Sequence, residues 1–143
     1  MENYQDILNF IYCNTQAGIN QVSQLKDRLD EGHFKTYLQT LIEKYAHIKH
    51  MADDWLLQND LDLHDLSTVQ KVVSYLQTCF KTMGDDETDF AETLMQSSVM
   101  GIVQIKKKVR YAKNNNIPHP IYQLLLDLLE VEQFNLRCLQ AFL

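Results

Sequence analysis

Two long runs of residues carry apolar or small side chains at alternating spacings of four and three, with almost nothing between them. In the first, spanning about 4–30, the positions are Leu8, Ile11, Thr15, Gly18, Val22, Leu25 and Leu29. In the second, spanning about 33–58, they are Phe34, Leu38, Leu41, Tyr45, Ile48, Ala52 and Trp55. That spacing puts each set on one face of an α-helix and is the seam of a helical bundle. At 1.5 Å per residue each helix is roughly 40 Å long. Gly32 reads as the C′ residue that stops the first helix. So short a break between two such helices permits only an antiparallel hairpin.

Three more segments follow the same periodicity. The third opens at Ser67, with Gln70 at capping-box spacing, and buries Val69, Val72, Val73, Leu76, Phe80 and Met83. The fourth, about 87–114, carries Ala91, Leu94, Ser98, Ile102, Ile105, Val109 and Ala112. Its ends are charged as the helix dipole favours, with Asp85, Asp86, Glu87 and Asp89 first and Lys106, Lys107, Arg110 and Lys113 last. Pro120 suits the N1 position of the fifth, which shows Ile121, Leu125, Leu128, Glu132, Asn135, Leu139 and Phe142 on its seam. No segment alternates with period two, so no strand is expected. The stretch 18–22 (GINQV) is echoed at 101–105 (GIVQI), and each copy sits in a long helix followed by another. Two similar hairpins joined by a crossover carrying the short third helix would produce that pattern.

Composition excludes several function classes. With 143 residues the chain is expected to form one domain, residues 1–143, whose core needs no disulfide or metal staple. No apolar run approaches the 18 or so residues of a membrane span, and the first residues, MENYQ, do not read as a secretory signal. A formal net charge of −6 disfavours nucleic acid, whose binding draws on phosphate neutralisation by Lys and Arg. Cys13, Cys79 and Cys138 are odd in number and lack zinc spacing, which suits buried thiols in a reducing cytoplasm. The stretch 60–65 (DLDLHD) begins like a calcium loop, but Asp65 stands where the loop needs Gly and Lys71 where it needs Glu. The basic stripe of Lys106, Lys107, Arg110 and Lys113 compensates the helix dipole first, and docking of an acidic partner helix is its lesser reading.

The segments 13–18 (CNTQAG), 91–102 (AETLMQSSVMGI) and 129–143, set in this helical order, resemble the ferritin-like four-helix bundles. More narrowly they resemble small bacterial members of that superfamily known as domains of unknown function. The resemblance implies an all-α, antiparallel up-down bundle with an extra short helix in the crossover. It also implies a place for a di-iron or di-manganese centre, which needs a Glu on each of two helices and a Glu-x-x-His on each of the other two. The chain departs from that ligand set throughout. Thr15 and Gly18 stand on the first helix, Ser98 and Gly101 on the fourth. On the second, Glu43, His47, His50 and Asp54 lie roughly 180–240° around the helix from Leu41 and should face water, leaving Glu43, His47 and His50 as surface metal candidates only. The fifth offers Glu132-Gln133-Phe134-Asn135, with Asn in place of His, a weak ligand for iron. No di-metal centre and no cofactor are expected.

Glu132 and Asn135 nevertheless fall on an apolar face and must find partners or, for the carboxyl, titrate upward. Thr15, Tyr45 and Ser98 could supply hydroxyls. The favoured reading of this polar core is a helix-register or interface device, and the other is a vestigial ligand pocket at the bundle centre. Gly18 and Gly101 are read first as close packing of the first helix on the fourth, and second as room for Tyr45 or a small ligand. The expected function is a non-enzymatic structural or interaction protein, metal-free, cytoplasmic and homodimeric. Tyr4, Phe10, Tyr12, Tyr37, Trp55, Phe134 and Phe142 exceed what one narrow seam can bury and are expected in part to cover a partner surface. The competing classes are a metal-dependent oxidase or iron store drawing on Glu132 and the second helix, and a regulatory bundle with a ligand near Glu132 and Asn135.

Overall fold

The computed structural model describes residues 4–59, 84 and 86–143. The expected third helix, with its Ser67 cap and Cys79, and the 60–65 stretch lie outside the described residues. What is described is helical, with no strand: α1 (Tyr4–Asp27), α2 (His33–Gln58), α3 (Glu87–Lys113) and α4 (His119–Leu139), ending in a short 3-10 turn, Gln140–Phe142. The expected fourth and fifth segments are thus α3 and α4.

Helix ends follow local chemistry, with two departures from expectation. α1 stops at Asp27 and tightens into a turn in which the Arg28 and Leu29 amides donate to the Leu25 and Lys26 carbonyls. Gly32 therefore does not close α1; it is the N-cap of α2, and it offers no side chain to the free amides there. α3 begins with a complete capping box, Asp89 N donating to Asp86 Oδ1 at 2.8 Å while Asp86 N faces the Asp89 carboxylate. In α4 the N-cap is Pro118, so Pro120 sits one position further into the first turn than the sequence suggests.

Cross-helix contacts define the directions. α1 runs against α2: Lys26 Nζ donates to Gln39 Oε1 at 2.9 Å, Gly18 faces Tyr45, and Lys49 lies over the Tyr12 ring. α3 runs against α4, with Ser98 beside Asn135 and Thr88 Oγ1 donating to the Phe142 carbonyl at 3.4 Å. α2 runs against α4, from Phe34 packed on Phe142 at 4.5 Å to Tyr45 on Glu132. α1 and α3 are bridged by long side chains, Gln21 to Ser97 at 3.0 Å, Arg28 over Phe90 and Lys108 over Phe10. Each of these four pairs is antiparallel, so α2 and α3 point the same way, as do α1 and α4, which also touch. Asn59 and Asp86 consequently stand at opposite ends of the bundle.

The seams meet in one apolar core, including Leu8, Ile11, Leu25, Leu38, Leu41, Phe90, Leu94, Ile121 and Leu125. The aromatics expected on a partner surface belong largely to that core's edge. Tyr4, Phe10, Tyr12, Tyr37, Trp55 and Phe142 pack against it half-buried, and Phe134 lies under Lys44 and Arg137. Aromatic rings tolerate this position, because a cation over the face replaces part of the lost water.

Candidate functional site

One level of the core is polar. Periodicity places Tyr45 on the buried face of α2, Ser98 on that of α3, and Glu132 and Asn135 one turn apart on that of α4; all four are buried. The Tyr45 hydroxyl donates to Glu132 Oε1. Ser98 hydrogen-bonds the same carboxyl and accepts from Asn135 Nδ2 at 2.7 Å. Asn135 Oδ1 accepts from the Tyr37 hydroxyl. The donors therefore form a chain, Tyr37 to Asn135 to Ser98 to the Glu132 carboxyl, on which Tyr45 donates separately. Among the described residues, the buried side-chain polar atom without a partner is Asn9 Oδ1, which is outside this cluster.

The electrostatics follow from burial. Loss of water pushes the Glu132 carboxyl up to about 7, against the opposing pull of the hydrogen bonds from Tyr45 and Ser98. Tyr45 is raised well above the ordinary phenol value, first by burial and then by the neighbouring Glu132 charge. Tyr37 is raised too, by burial, then by the Cys138 thiol and Glu132 beside it. Burial thus favours the neutral form of the Glu132 carboxyl and of both phenols beside it.

Two glycines make the space. A Cβ at Gly18 would meet the Tyr45 ring at 3.0–3.2 Å, and one at Gly101 would lie 3.4–3.7 Å from the Glu132 side chain. The favoured expectation, that these glycines let α1 and α3 approach closely, is therefore overturned: the space they open is filled by Tyr45 and Glu132. The echoed GINQV and GIVQI segments each accommodate one end of a single hydrogen bond, as two related hairpins would.

Four of the five expected polar-core residues come together. Thr15 does not join them; its hydroxyl turns back onto its own helix, donating to the Ile11 and Tyr12 carbonyls at 2.9 and 3.0 Å. Tyr37, expected on a partner surface, takes its place. It sits two turns before Tyr45, off the seam, and only the packing of α4 brings Asn135 to its hydroxyl.

The metal centre that the resemblance implies does not fit these residues. The central positions present a single carboxylate, two phenols, a serine and an amide, and the carboxylate is already hydrogen-bonded. Glu43, His47 and His50 are all exposed on α2, and His50 pairs with Asp54 at 3.5 Å. Glu43 and His47 line an open groove of about 660 Å3 between α2 and α4, together with Thr40, Lys44, Asp127, Glu130 and Phe134. No group of three metal-ligating side chains gathers among the described residues. No described helix is long and apolar enough to cross a membrane.

The outer surface holds a feature that the seam periodicity does not reveal. Val99, Met100 and Val103 are about half exposed, at 48%, 45% and 48%, on the side of α3 that points away from the core. Met95, Leu136 and Leu143 border an open groove beside them. The signal in the sequence is a second, weaker periodic stripe opposite the seam. The architecture and site define an all-α antiparallel bundle built around a buried, hydrogen-bonded carboxyl. No protein-family model, curated protein or solved structure matches this chain.

Proposed function

We propose that the chain is a non-catalytic ferritin-like bundle that works in the cytoplasm as a metal-free protein-interaction module, and that it acts as a homodimer. Two antiparallel hairpins, α1 with α2 and α3 with α4, with α2 and α3 codirectional, are what a bundle with one long crossover requires, and this supports the ferritin-like assignment. The central cluster supports a register role: its donors and acceptors are spent on one another, so α2, α3 and α4 have one relative height at which Tyr45, Ser98 and Asn135 all find partners.

The observation that carries the interaction reading is the exposed aliphatic stripe of α3. A solvated helix face has no use for Val99, Met100 and Val103 together, whereas a partner surface does. Light scattering at tens of micromolar is the direct test. A mass of two chains is expected; a monomer overturns the homodimer. Elemental analysis after aerobic iron loading tests the metal-free assignment. Far less than one ion per chain is expected, and stoichiometric iron would return the chain to the oxidase or iron-store class.

A further inference from the structure

The stripe on α3 has a charge order that selects its partner. Asp89, Gln96, Val103 and Arg110 recur every seven residues, with Glu92, Val99, Met100 and Lys107 between them. At about 100° per residue these eight fall within one stripe roughly 100° wide, opposite the buried Ala91, Ser98, Ile105 and Val109. Glu92, Gln96, Lys107 and Arg110 are exposed along with the three aliphatic residues. The face thus reads, from the N-terminal end, acidic, polar, apolar and basic. It is an exposed helix face roughly 32 Å long, apolar at its centre and oppositely charged at its two ends, with no helix laid along it among the described residues.

From this order we infer that the outer face of α3 docks on the same face of a second copy, antiparallel, about a two-fold axis between Val99 and Met100. The inference rests on the homodimer reading above and names its surface. In that register Val99 meets Met100 of the second copy, Gln96 meets Val103, Glu92 meets Lys107 and Asp89 meets Arg110, each pair occurring twice. A parallel alignment would instead set Glu92 on Glu92 and Lys107 on Lys107, a repulsion at both ends. The antiparallel arrangement is isologous, so it closes as a dimer rather than propagating. Met95, Leu136 and Leu143, around the open groove of about 630 Å3 beside the stripe, widen the apolar centre beyond a single helix. The charges at the two ends of the face fix register and orientation by complementarity.

Charge reversal tests it on the full chain, with dimer dissociation followed by sedimentation. Glu92→Lys and Lys107→Glu each replace two attractions with two repulsions, and each should weaken the dimer about tenfold or more. The double variant restores opposite charges in this register and should recover wild-type affinity. Val99→Glu should abolish the dimer while leaving the helical signal of the monomer unchanged. A dimer indifferent to all three single changes overturns the α3 surface while keeping the dimer, and failure of the double variant to recover overturns the register. A monomeric wild type overturns the homodimer reading itself; if Val99→Glu then lowers its unfolding temperature, the face is covered by this chain's own residues instead.

Discussion

At the scale of single residues, Glu132 is where sequence and environment pull hardest against each other. Its carboxyl moves from 4.5 to about 7 on burial, so the folded state holds a proton that the unfolded chain releases. The stabilisation from that proton is complete below about pH 4.5 and is lost as pH rises through about 7, an amount near 3 kcal/mol at most. Glu132→Gln keeps an acceptor for Tyr45 without the ionisation. Its urea midpoint should equal or exceed that of the wild type at pH 8, with the advantage shrinking toward pH 5. Parallel curves for the two proteins would mean that the carboxyl titrates normally. Periodicity announces Glu132 as buried, because phase around a helix is a local property. It cannot announce that Tyr37 joins the cluster and Thr15 leaves it. A threonine in a helix always has its own carbonyls within reach, and only the neighbouring helix decides whether something better is on offer.

At the scale of helices, the two echoed glycines differ in what stands opposite. Alanine at either position gains helix propensity, about 0.5–1 kcal/mol. At Gly18 the new methyl would press on a buried Tyr45 ring held in place by its bond to Glu132, and overpacking costs roughly 1–3 kcal/mol. Gly18→Ala should therefore lower stability, while Gly101→Ala, which makes an ordinary contact with Glu132, should be neutral or stabilising. Denaturant titration of both variants separates them; equal effects would show that Tyr45 yields. The helix ends offer a second comparison. Gly32 has an extended backbone with nothing within 4 Å of where a Cβ would stand, and α2 lacks the side-chain cap that Asp86 gives α3. Gly32→Asp should raise the thermal midpoint by supplying that cap, worth about a few tenths of a kcal/mol over glycine. Sequence alone runs the first helix to about residue 30 with Gly32 as its stop, because glycine follows its last apolar position; the structure ends it earlier and hands the glycine to α2.

At the scale of the whole molecule, stability and association are one equilibrium if the folded chain pairs with itself. The unfolding midpoint should then rise with protein concentration, by mass action, and cease to do so in Val99→Glu. A midpoint independent of concentration in the wild type would count against self-association. The interior and exterior of α3 divide the work: one face specifies how four helices align, the other what the finished bundle meets.

By itself the sequence determined the four described helices, the face each one buries and, of the polar residues carried inward, Thr15, Ser98, Glu132 and Asn135 but not Asn9, Gln21 or Thr93, because a 3.6-residue period acts over a few neighbours. The tertiary structure decided which inward groups touch: that Tyr45 fills the hollow at Gly18, that Glu132 fills the one at Gly101, and that Tyr37 completes their hydrogen-bond chain. Those pairings depend on the relative height and order of helices far apart along the chain, and no local period encodes the distance between them.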